Sequence, residues 1–166
     1  MTAEDFKKEL QKYASAEDAI FLQRFFKTGL GEYGEGDVLI GVRVPKNREI
    51  CKKFKDLPIV ELEKLISSEV HEYRLGALII VTNRFKKSSE QKKKELYDFY
   101  MLTLSQGKVN NWDLIDVTCD HVVGQYLRDK PKDILYDLAK SKSLWERRAS
   151  IMATFAYIKT VSRKKL

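Results

Sequence analysis

Long apolar runs are missing from this chain of 166 residues. The longest, "LGALIIV" at 75–81, is far too short to cross a bilayer, so no membrane association is expected. The N-terminus, "MTAEDFKKEL", is polar and lacks the apolar core of a signal peptide. Cysteine is scarce: Cys51 and Cys119 stand in separate helical patterns without metal-ligand spacing. They read as reduced, half-buried thiols of a cytoplasmic protein, with no metal and no cofactor expected. The two histidines, His71 and His121, each sit alone at helix positions without an evident partner, and neither reads as a ligand or base. No segment shows the two-residue alternation of a half-buried strand. Proline is equally rare, and each of the three (Pro45, Pro58 and Pro131) stands at a helix start, where its missing N–H costs little.

What is present is helical periodicity. Helices are expected near 3–13, 16–27, 46–55, 58–67, 70–85, 89–106, 111–127, 131–140 and 144–160. Hydrophobic residues at 43% and charged residues at 33% describe a single globular domain able to bury a core. Within it, a helical hairpin at 3–28 and a connection at 29–44 precede helical repeats over 46–160. Five of the eight glycines fall in "GLGEYGEGDVLIG" at 29–41. That stretch lacks the Gly-Lys-Ser/Thr ending of a phosphate loop and follows no strand, so it reads as a turning connection rather than a nucleotide site.

The net charge is +7, from 31 basic against 24 acidic residues. Such an excess suits nucleic acid, an anionic surface or simply a basic protein. The stretch "WERRASIMATFAYIKTVSRKKL" holds six basic residues and one acid, and "RFKKSSEQKKKE" is a second basic cluster. The plain account of "KKSSEQKKK" is a solvated loop and helix start.

The later helices repeat. "HEYRLGALI" at 71–79 aligns with "WERRASIMA" at 145–153, matching Glu72 to Glu146 and Arg74 to Arg148. Two-helix units at 58–85, 89–127 and 131–160 would form a HEAT-like solenoid: an all-α, right-handed superhelix with a concave basic groove.

One helix carries a carboxylate in an unusual place. At about a hundred degrees per residue, Trp112, Ile115, Cys119, Val122, Val123 and Tyr126 share one side of 111–127. Asp113 and Asp120 fall outside that arc and should face water. Asp116 lies at its edge, one turn after Trp112, where a carboxylate needs a cation, a donor or a ligand. In the helix of 144–160 the apolar stripe is Leu144, Ile151, Phe155 and Ile158, and Arg148 falls inside it. Asp116 and Arg148 could therefore share one groove. On residue chemistry alone, an inter-repeat salt bridge with Trp112 as core is the simpler account. The alternative is a cleft in which an indole and a carboxylate hold a cation while a guanidinium holds a phosphate.

These segments resemble the AlkD-like DNA alkylation-repair glycosylases, which are built from HEAT-like repeats. The resemblance runs through "GEYGEGDVLIGVRVPKNREICKKF" at 31–54, "SSEVHEYRLGALIIV" at 67–81, "VNNWDLIDVTCDHVVGQYL" at 109–127 and "LWERRASIMATFAYIK" at 144–159. It implies hydrolysis of the N-glycosidic bond of cationic alkylated purines, chiefly N3-methyladenine and N7-methylguanine, in duplex DNA. It further implies that Asp116 is catalytic, that Trp112 packs against the lesion's sugar and backbone, and that Arg148 engages a phosphate. By the same resemblance Arg43 and Arg48 would contact the DNA backbone. A cytoplasmic, prokaryote-type, monomeric base-excision enzyme without nucleotide cofactor is the expectation. Family members continue for two or three further helices beyond the point where this chain stops at "SRKKL", so a truncated or inactive member is one expectation. The competing class is a non-catalytic HEAT-repeat module that binds DNA or protein.

Overall fold

The computed structural model describes residues 1–163, with side chains through Ile158. Among the described residues the fold is all-α, and its one extended feature is an isolated bridge between Val38 and Val70. The helices are α1 (Ala3–Gln11), α2 (Ala16–Gln23), α3 (Val44–Lys53), α4 (Ile59–Ile66), α5 (His71–Phe85), α6 (Glu90–Ser105), α7 (Trp112–Asp116), α8 (Asp133–Ala139) and α9 (Leu144–Arg163). A π-helical turn, Asp120–Gly124, lies between α7 and α8. No described helix is long and apolar enough to cross a membrane. The chain divides into two compact units, the first being Met1–Ile80 and the second starting at Val81.

In the first unit, Thr2 opens α1 with a reciprocal cap: its hydroxyl accepts from the Asp5 amide at 3.2 Å, and the Asp5 carboxylate accepts from the Thr2 amide at 2.8 Å. Phe6 and Leu10, one turn apart, then bury fully, and Phe6 meets Phe54 edge-to-face at 5.3 Å. Pro45 stands in the first turn of α3, and Pro58 caps α4. The glycine-rich connection is held by side chains rather than by its own regularity. The buried Glu72 carboxylate accepts from the amides of Ile40, Gly41 and Val42 at 3.1, 2.8 and 3.3 Å. Gly41 is required there: its φ is +81°, and a Cβ would fall 2.0 Å from the Ser15 carbonyl oxygen.

In the second unit, α6 packs against the π turn, while α7, the π turn and α8 all pack on α9. Two expectations are corrected here. The helix expected at 111–127 is interrupted after Asp116, where Thr118 turns its hydroxyl back to the Leu114 carbonyl and also meets the Tyr100 hydroxyl at 3.0 Å. The π turn that follows is wider than an α turn, so a single wheel does not describe both halves. Asp113 and Asp120, expected to face water, are buried, at 6% and 5% exposure.

The second correction concerns α9, whose core face was expected to be Leu144, Ile151, Phe155 and Ile158. Those four are exposed, and the buried face is Ala149, Ser150, Ala153 and Ala156. Close approach explains it: a Cβ on Gly124 would lie 2.2 Å from the Ala153 carbonyl oxygen and 2.7 Å from the Ala156 Cβ. Only small residues on both sides let the π turn and α9 touch.

Candidate functional site

Asp116 is the last residue of α7, whose short run is started by Asn111, the side chain of which accepts from the Trp112 amide at 2.9 Å. A carboxylate at a helix C-terminus faces the negative end of the peptide dipoles, so it calls for a cation. Arg148 supplies one. From α9 its Nε donates to Oδ1 of Asp116 at 2.7 Å, and its Nη2 donates to Oδ2 at 2.6 Å. This is a forked, charge-assisted pair of the strong kind. It is not sealed: the side chains are 25% exposed for Asp116 and 39% for Arg148. Trp112, half-buried, stands one helical turn before Asp116.

The alanine face of α9 sets this geometry. By binding the π turn closely it leaves the opposite face, with Arg148, at the surface beside α7. A cleft of about 450 Å³ adjoins the guanidinium, lined by Leu144, Ile151, Met152, Ala139, Ser150 and Arg147. Arg147 is committed elsewhere, donating to the carbonyls of Ser141 and Lys142 at 2.7 and 2.9 Å. The arrangement offers a carboxylate for a cation and a guanidinium for an anion, each reachable from water. Among the described residues no group of His, Cys, Asp and Glu could hold a metal ion.

Trp112, Asp116 and Arg148 thus belong to the second unit, and Arg43 and Arg48 to the first. Arg43, just before α3, donates to Asp18 through Nε at 3.2 Å and Nη2 at 2.7 Å, and lies 5.3 Å from the centre of the Phe21 ring. Hydrogen bonding to Asp18 raises its pKa and lowers that of Asp18. Arg48 is exposed on α3.

The histidines are not lone, as the sequence suggested. His71 is buried with Nδ1 3.4 Å from Oδ2 of Asp37 and its ring 4.7 Å from that of Phe26. Nδ1 of His121 lies 3.6 Å from Oδ1 of Asp120. Arg74 completes the first cluster, its Nη2 2.5 Å from Oδ2 of Asp37. Burial alone would raise the Asp37 carboxyl, but hydrogen bonds from His71 and Arg74 outweigh it and hold the group at about 2. Sequence reasoning missed this cluster, although the repeat that matched Arg74 to Arg148 marked one member. The thiols are fully buried rather than half-buried, and burial pushes both pKa values up, that of Cys51 to about 12.

No curated protein and no solved structure matches the chain. Among protein families, the one described as DNA alkylation repair enzyme matches it over residues 6–166, nearly its whole length. The chain, with its Asp116–Arg148 pair inside that span, belongs to the DNA alkylation repair enzyme family.

Proposed function

We propose that the chain is a DNA glycosylase that hydrolyses the N-glycosidic bond of cationic alkylated purines, N3-methyladenine and N7-methylguanine, in duplex DNA. The observation that carries this reading is the Asp116–Arg148 pair, open to water on a chain of the alkylation repair family. Alkylation leaves the purine positively charged, so the N–C1′ bond breaks with its electrons going to the base, which departs neutral. Positive charge builds on the deoxyribose, and water adds at C1′ and loses a proton. Asp116 stabilises that charge and orients the water. Trp112 packs against the sugar and backbone, and Arg148 takes a phosphate beside the lesion. Arg43 and Arg48 bind backbone phosphates. The chain acts as a monomer, without metal or nucleotide cofactor.

A second reading is favoured by one observation: Arg148 already neutralises Asp116. A DNA- or protein-binding repeat module needs nothing more of the pair. Release of methylated purines from alkylated duplex DNA, measured under single-turnover conditions for the chain and for Asp116→Asn, separates the two. The enzyme loses about 10²–10³ in rate on removing one such electrostatic contact, with DNA affinity little changed. No release by the wild-type chain, or equal rates in both, leaves only the binding module.

A further inference from the structure

The second unit has another concavity, which shares no lining residue with the cleft beside Arg148. Its volume is about 320 Å³, and it is lined by Phe85, Lys86, Lys93, His121 and Gln125. The end of α5 supplies Phe85 and the residue after it is Lys86; α6 supplies Lys93 near its start. His121 belongs to the π turn and Gln125 follows it. Single π turns recur at functional sites because they break the regular spacing of side chains along a helix.

The lining is chemically one-sided. Two ammonium groups, an imidazole and a carboxamide surround the cleft, and none of the lining residues is acidic. Phe85, buried, gives it an apolar wall, with the Lys93 ammonium 5.9 Å from the ring centre. Two acids stand just outside. Glu90 accepts from Lys93 at 2.7 Å, but its side chain is 72% exposed, and such a pair three residues apart on a helix is held by only a few tenths of a kcal/mol. An anion placed between two lysines displaces it. Asp120 is buried, with its Oδ1 3.6 Å from Nδ1 of His121.

We infer that this cleft is a phosphate-binding subsite, with Lys86 and Lys93 as point charges, His121 and Gln125 as hydrogen-bonding groups, and Phe85 as the wall against which an attached sugar lies. The basic run "RFKKSSEQKKKE" thereby gains a role beyond solvation, since Lys86 and Lys93 both come from it. The phosphate can come from a DNA backbone or from a small phosphorylated molecule. The first source rests on the DNA reading given above; the site's chemistry does not.

The binding measurements use undamaged duplex DNA and inorganic phosphate. Duplex affinity is measured across a salt series for the wild type, for Lys86→Gln with Lys93→Gln, and for Lys92→Gln with Lys94→Gln, an equal charge change on exposed lysines outside the cleft. A backbone subsite makes the cleft pair bind about tenfold more weakly and lowers the salt slope by about 1–2, since each phosphate contact contributes about 0.9. The control pair stays near wild type, and Lys86→Arg with Lys93→Arg restores binding. In parallel, the His121 imidazole resonance is followed by NMR during a titration with inorganic phosphate. Saturable movement that the cleft pair abolishes supports the subsite, and if DNA affinity is unaffected it assigns a small phosphorylated molecule as the source. Equal loss in the cleft and control pairs, with no saturable response of His121, overturns the proposal. Base release by the cleft pair under saturating DNA keeps this outcome distinct from failure of the glycosylase reading.

Discussion

Replacing Asp116 with Asn separates a structural ion pair from a functional one, because the two cost different amounts in different measurements. An exposed pair contributes about 0.2–1 kcal/mol, whereas removing one partner of a buried pair costs about 3–5 kcal/mol. The Asp116–Arg148 pair lies between these limits: its geometry is a full fork, yet the side chains retain 25% and 39% of their exposure. A stability loss of about 1 kcal/mol is expected for Asp116→Asn, with a coupling of similar size in a cycle with Arg148→Gln. Against a total stability of about 5–15 kcal/mol, that loss leaves the variant almost wholly folded. A rate loss of about 10²–10³ corresponds to about 3–4 kcal/mol at the transition state, so it cannot come from unfolding. The assays are urea unfolding of the four proteins in the cycle and single-turnover release of N7-methylguanine from alkylated duplex DNA. A stability loss of several kcal/mol, with activity falling only in step with the folded fraction, refutes the reasoning.

Three further outcomes follow from the packing and the buried charges. Gly124→Ala places a Cβ 2.2 Å from a backbone oxygen that cannot move without α9, so unfolding experiments should show a loss of about 1–3 kcal/mol; unchanged stability would contradict the close contact. Asp37 is held at about 2, below its ordinary 3.8, so its stabilising contribution is complete above pH 4 and is lost as pH falls toward 2. That contribution is about 2 kcal/mol, so the stability difference between the wild type and Asp37→Asn should shrink by this amount between pH 6 and pH 2; a constant difference would rule it out. Cys51 and Cys119, both within 1% of full burial, should react with a thiol reagent only as fast as the protein unfolds, and rapid labelling in native buffer would show otherwise.

Local signals made much of the fold legible. Proline at a helix start and helical periodicity each work within a few residues, so the helices fall near their expected places. The break after Asp116 was not legible. It depends on where the Thr118 hydroxyl finds partners, and one of those, Tyr100, is 18 residues away. Periodicity assumes one angle per residue and carries that assumption through any interruption. The inverted face of α9 has a different cause. A wheel ranks residues by hydrophobicity and selects Ile151 and Phe155, whereas the contact with Gly124 selects by size and takes Ala153 and Ala156. For the candidate site, the repeat match was the useful signal, since it drew attention to Arg148 before any partner was known. The partner of His71 comes from a loop of irregular backbone, for which no periodicity exists.

The repeat also gives the site a point of comparison. Arg74 and Arg148 occupy matched positions in the aligned segments, and each forms an ion pair with an aspartate of its own unit. In the first unit both side chains are almost withdrawn from water, at 7% for Arg74 and 3% for Asp37. An ion pair in that setting cannot change partners, because any intermediate leaves a buried charge uncompensated. Together with Glu72 and its three backbone amides, it can only fix the glycine-rich connection against α5. In the second unit the ion pair is a guanidinium fork, and it stands open. Water can solvate either ion as the pair parts; on the glycosylase reading proposed above, a phosphate then competes for Arg148 and a cationic sugar for Asp116. Exposure, rather than residue type, is what turns a structural contact of the repeat into one that can take part in chemistry.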